Sequence, residues 1–195
     1  MTAGPSAEGP VVLLDRPAWV EAMVAPGSVI ADDAGAMRLA IALASANVAR
    51  RAGGPFGAVV FEEGSGLLLG AGVNSVERLG NSMLHAEVVA LMAAEARLGS
   101  YTLRPSGGPA RVLATSCDPC AMCLGAALWS GVGRIVCGAT RDDAARLGFE
   151  EGPVFETSWE YLATRGIAVT RGLLADEARA VFDRYRAAGG AIYNG

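Results

Sequence analysis

The segment Asp118-Pro119-Cys120-Ala121-Met122-Cys123 sets two thiols three residues apart. It reads as a helix start: Asp118 can cap it, and Pro119 suits the first helical position. Thiols at that spacing project from one helical face. The positive end of the helix dipole favours thiolate in a first turn. Two such thiolates make half of a tetrahedral zinc site, and they also fit a redox dithiol. A closed structural metal site needs two more protein ligands. The chain offers one histidine, His85, and two further cysteines, Cys117 and Cys137. A catalytic metal needs three ligands and keeps its fourth position open; His85 completes that set. His85 itself opens His85-Ala86-Glu87. Inside a helix, residues two apart diverge by about 200°. His85 and Glu87 can therefore face one metal only where a helix begins, and Gly80-Asn81-Ser82 just upstream supplies such a start.

These groups need a frame. Met37, Ala40, Ile41, Ala44 and Val48 repeat at helical spacing, which predicts a helix from Asp32 or Asp33 to about Arg51. The apolar runs Gly57–Phe61 and Leu67–Ala71, joined by Glu63-Gly64-Ser65-Gly66, predict a β-hairpin. Helices are expected near His85–Leu98, Cys120–Ser130, Ser158–Arg165 and Ala175–Ala187. Strands are expected at Arg111–Thr115, Arg134–Cys137 and Ile167–Arg171. Alternating strands and helices imply βαβ crossovers and a partly parallel sheet, an α/β fold with helices on both faces. Residues 1–30, Pro/Gly-rich around the apolar run Val11–Leu14, read as an N-terminal extension; 31–195 read as one domain.

Composition narrows the chemistry. The 195 residues carry 16 basic and 20 acidic groups, a net charge of −4, and all the basic ones are arginine. Without lysine there is no Schiff base and no phosphate-loop lysine. An acidic chain without a basic block is poorly suited to a nucleic-acid backbone. The apolar stretches are too short and too broken by Gly and Pro to span a membrane. The N-terminus lacks the basic region of a secretory signal, so a cytoplasmic location is expected.

The pattern H-x-E…P-C-x-x-C resembles the zinc nucleobase deaminases, and 37–195 resemble the cytidine deaminase-like superfamily. The carriers are GGPFGAVV at Gly53–Val60, HAEVVAL at His85–Leu91 and SCDPCAMCLGAALWSG at Ser116–Gly131. The run TRDDAARLGFEEG at Thr140–Gly152 and the Tyr-containing C-terminus are most similar to bacterial guanine deaminases. The resemblance implies a three-layer α/β/α sandwich with a mixed five-stranded sheet. It implies Zn2+ on His85, Cys120 and Cys123, and Glu87 as the proton-transferring carboxylate of a hydrolytic deamination.

Other roles carry over by position. Glu151 resembles the second proton shuttle, with Glu150 as the alternative. Phe56 resembles the aromatic that stacks on the base, and Asn74 the asparagine that hydrogen-bonds it. Ala86 would give its backbone amide to the substrate carbonyl. Trp129 would line the base pocket or the helix packing beneath it. Tyr193 resembles a C-terminal tyrosine that closes the site, in the family through a segment exchanged within a homodimer. The partner implied is a small nucleobase, with no nucleic acid and no membrane. Guanine leads; related purines, ammeline-like aminotriazines and nucleosides follow. A tRNA adenosine deaminase and a non-catalytic zinc-stabilised module rank below these. The chain departs from the family at Ser82-Met83-Leu84, where Pro-Thr-Ala is usual, at Asp118 for Glu, and at Ala121 for Pro.

Overall fold

A computed structural model describes residues 15–25 and 27–194. The N-terminal tail with its Val11–Leu14 run, Pro26 and Gly195 lie outside the described residues. The two apolar runs around Glu63-Gly64-Ser65-Gly66 pair as expected: β1 (Gly57–Glu62) lies antiparallel to β2 (Leu68–Val73). On its other edge β1 pairs antiparallel with β3 (Arg111–Cys117). Parallel to β3 follow β4 (Arg134–Ala139) and β5 (Ala168–Thr170). The sheet is mixed and five-stranded, in the order β2-β1-β3-β4-β5.

The longest helices fall where periodicity put them. They are α2 (Asp33–Ala49), α4 (Ala86–Leu98), α5 (Ala121–Ser130), α7 (Glu156–Thr164) and α8 (Ala175–Ala187). Asp32 is the cap of α2: its carboxylate accepts the Gly35 amide at 2.7 Å. The stripe Met37, Ala40, Ile41, Ala44 and Val48 is buried. Core side chains of α2 and α8 pack on one face of the sheet, those of α4, α5 and α7 on the other. Three short helices have no counterpart in the sequence reading: α1 (Ala18–Met23), α3 (Val76–Leu79) and α6 (Arg141–Ala145). Each has six residues or fewer, too short for a 3.6-residue repeat to show. Within 15–30, α1 buries Val20 completely, and the Arg50 guanidinium lies 4.9 Å over the Trp19 ring.

Glycines set the spacing between helices and sheet. A Cβ at Gly57 would stand 2.3 Å from the Ala40 carbonyl oxygen of α2. At Gly70 and Gly72 it would stand 2.3 Å from the Ala90 and Ala86 carbonyl oxygens of α4. Helix α4 therefore rests directly on the backbone of β2, a separation that any side chain would prevent.

Candidate active site

The candidate site lies beyond the carboxyl end of β3, where open α/β sheets place their ligand crevices. Two helix N-termini meet there. His85 is the N-cap of α4 and Cys120 the N-cap of α5, both with extended backbone (ψ 158° and 173°). This answers the angular problem posed by His85 and Glu87. His85 precedes the first helical residue, so its side chain is free of the helical period that governs Glu87.

The expected cap at Asp118 is not formed; the chain enters α5 two residues later. The Asp118 side chain is fully buried and takes a different partner. It accepts from Arg171 Nε at 3.1 Å and from the Arg171 terminal nitrogen, and from the Arg141 amide at 3.4 Å. The Arg171 guanidinium in turn lies 4.7 Å over the Trp159 ring.

His85, Cys120 and Cys123 bring their ligand atoms within 4.8 Å of one another. His85 turns Nδ1 to Cys120 Sγ at 3.5 Å. The Cys120 thiol is lowered to about 4 by hydrogen bonds from the Cys123 thiol and from His85. Cys123 is pushed well up by the adjacent Cys120 thiolate and by burial. Two thiols that cannot both ionise unaided, facing an imidazole nitrogen, are a donor set completed by a borderline-soft divalent cation. Among the described residues no other cluster offers such a set. Cys117 donates instead to the Thr140 carbonyl at 3.5 Å, and Cys137 packs in the core on the opposite face of the sheet from Cys117. The cluster offers three donors, one fewer than a closed tetrahedral site needs.

Two carboxyls border this cluster. Glu87 is buried and held protonated more readily than usual, first by burial and then by the Cys120 thiolate. Glu151 is raised to about 8 by burial, the Cys120 thiolate and Glu87. The Glu151 carbonyl accepts the Ala121 amide at 2.9 Å, which ties its loop to the first turn of α5.

A cavity of about 380 Å³ opens over these groups, a size suited to a small ligand. Phe56, Asn74 and Tyr193 line it together with His85, Glu87, Cys120, Glu150 and Glu151. Phe56 packs edge-on against Phe149, their centroids 5.1 Å apart. Asn74 Oδ1 accepts the Val76 amide at 3.3 Å, while its buried Nδ2 has no partner. Tyr193 packs on Phe149 at 5.1 Å, and its buried hydroxyl is likewise unpaired. Its seat depends on Gly54, where a Cβ would stand 1.9 Å from the hydroxyl. Asn194 pins this tail: Oδ1 accepts the Glu150 amide at 2.9 Å, and Nδ2 donates to the Gly148 carbonyl at 3.0 Å. Ala86 is buried at the first position of α4, where backbone amides have no helical acceptor.

Trp129 is a correction. It is 84% exposed and does not line the cavity. The buried stripe of α5 is Cys123, Ala127 and Ser130. Six residues beyond Cys123, Trp129 is turned by about 240° away from it. The sequence reading also missed Arg171, Asn194 and Asn47. A signal existed for Asn47: it lies three residues beyond Ala44, on the apolar stripe of α2.

Comparison with known proteins places these residues in context. Residues 30–139 match the family model for the cytidine and deoxycytidylate deaminase zinc-binding region. The guanine deaminase of Bacillus subtilis (strain 168) is 36% identical over 120 residues, 62% of this chain and 72% of that one. A solved guanine deaminase from Nitrosomonas europaea superposes with a TM-score of 0.86 at 42% identity, over 91% of this chain and 97% of that one. A solved mutant protein in complex with 8-azaguanine superposes at 0.87 with 41% identity, over 93% and 99%.

Proposed function

The chain belongs to the cytidine and deoxycytidylate deaminase zinc-binding family, and from that premise we propose that it hydrolyses guanine to xanthine and ammonia with zinc held by His85, Cys120 and Cys123. The observation that carries the reading is the cavity: it brings His85, Cys120 and two carboxyls together with an aromatic and Asn74, whose buried Nδ2 is unpaired. When bound, zinc supplies a water acidified to a pKa near 7.

The chain's own residues do the rest. Phe56 and Phe149 give the base an apolar, aromatic seat. Asn74 Nδ2 donates to an acceptor on the purine edge, which repairs an unpaired buried donor. The Ala86 amide, at the positive end of α4, meets the substrate carbonyl. Glu87 moves a proton to the ring nitrogen beside the reacting carbon. Glu151, beside the cluster in the same cavity, passes a proton to the departing amino group. The carbon–oxygen bond forms, the carbon–nitrogen bond breaks, and ammonia leaves. Tyr193 caps the cavity and keeps bulk water out.

Purified protein is expected to carry about one zinc per chain and to release ammonia from guanine with stoichiometric xanthine. A panel of guanine, guanosine, ammeline, adenine, cytosine and cytidine decides the substrate; faster release from any other member overturns the guanine reading. Removing Tyr193–Gly195 should lower kcat/KM on the preferred substrate by about tenfold, since the cavity then loses its buried cap. Unchanged steady-state kinetics would discard that role. The homodimer implied by the resemblance belongs to the same reading. The described residues contain no helix long and apolar enough to cross a membrane, and sedimentation equilibrium tests the dimer.

A further inference from the structure

Asn47 is a fully buried amide in the last turn of α2, on the face that packs against the sheet. Its Nδ2 donates to two backbone carbonyls, Gly54 at 2.9 Å and Asn74 at 3.0 Å. The amide cannot be turned over, because Oδ1 would then face two carbonyl oxygens. Oδ1 itself has no partner. A buried polar side chain that leaves one of its own atoms unpaired costs stability, so simple packing would favour an apolar residue here.

The two carbonyls that Asn47 holds belong to the base-binding wall. Gly54 carries the seat of Tyr193, and its carbonyl also accepts the Phe56 amide at 2.9 Å. Asn74 supplies the unpaired Nδ2 in the cavity, and its own amide donates to the Phe56 carbonyl at 3.1 Å. One side chain therefore links the loop before β1 to the end of β2. It fixes the mutual positions of the stacking ring, the purine-reading amide and the tyrosine cap. None of the metal ligands lies on these segments: His85 stands at the start of α4, Cys120 and Cys123 at the start of α5. Gly53 completes the arrangement. A Cβ there would stand 2.4 Å from the Asn74 carbonyl oxygen and 3.0 Å from Asn47 Nδ2, so the loop can approach the clamp only without a side chain.

We propose that Asn47 is a positioning residue for substrate binding, a clamp that sets Phe56, Asn74 and Tyr193 in register and leaves the metal centre untouched. The inference rests on the guanine reading of the site.

Asn47→Ala removes both donated hydrogen bonds. It is expected to raise KM for guanine by about tenfold, the scale of one to two net hydrogen bonds, with kcat and zinc content within twofold of the parent. A general loss of folded protein would lower kcat and zinc content together and leave KM alone. A KM unmoved beside an active parent overturns this proposal while the guanine reading stands. A parent inactive on guanine overturns both. If Asn47→Ala does not fold, the unaltered protein still decides. The side-chain amide resonance of Asn47 should be protected from exchange and should shift on saturation with 8-azaguanine. A freely exchanging or unshifted resonance, with saturation shown by other signals, overturns the clamp.

Discussion

Glu87→Gln should retain its zinc and lose at least two orders of magnitude in kcat on guanine. The substitution keeps the shape and removes the titrating oxygen. Glu87 lies at the second position of α4, two residues after His85, and is buried beside the Cys120 thiolate. Metal analysis and single-turnover kinetics on the same preparation check the result. A variant that turns over normally removes the proton-transfer role; one that arrives without zinc shows Glu87 to be part of the metal's support instead.

The second large effect lies behind the site. Arg171→Met keeps an unbranched stem and deletes the guanidinium that pairs with Asp118 and lies over the Trp159 ring. The buried carboxylate is then left with the Arg141 amide alone. Stranding a buried charge costs about 3–5 kcal/mol. The Arg171 side chain is 40% exposed, so the low end, about 3 kcal/mol, is expected. Urea unfolding at neutral pH measures it. Asp118 stands two residues before Cys120, so zinc affinity should also fall by about tenfold, the low end for residues that support metal ligands. Adding Asp118→Asn removes the stranded charge and should recover part of the stability, the mark of a direct coupling. A loss below 1 kcal/mol in the single variant would show that solvent already screens the pair.

Much of this was legible because it is written in short-range patterns. The stripe Met37 to Val48 gave α2, the Gly-Ser-Gly turn gave the hairpin, and the C-x-x-C spacing marked a thiol pair to which the family resemblance joined His85 and Glu87. The illegible parts depend on contacts that cross the sequence. Asp118 looks like a cap beside a helix start, but Arg171, 53 residues on, takes its carboxylate. Trp129 sits in an apolar run, and only the helical phase fixed by Cys123 and Ala127 turns it outward. Asn47 reads as an interruption of an apolar face until Gly54 and Asn74 are folded against it. Short helices such as α6, where Thr140 and Asp143 cap each other, carry too few residues to show a period.

The spacing of α4 on β2 inverts the usual sense of where a chain is vulnerable. Trp129 is among the largest side chains, lies six residues beyond Cys123, and faces solvent. Gly72 has no side chain and touches nothing reactive. Yet a single methyl at Gly72 would meet the backbone of Ala86 and Ala90, and Ala86 is the residue between His85 and Glu87. The helix would have to lift, carrying His85 and Glu87 away from Cys120 and Cys123, which are anchored on α5. The metric of this site is thus kept by chemically blank positions in a neighbouring strand.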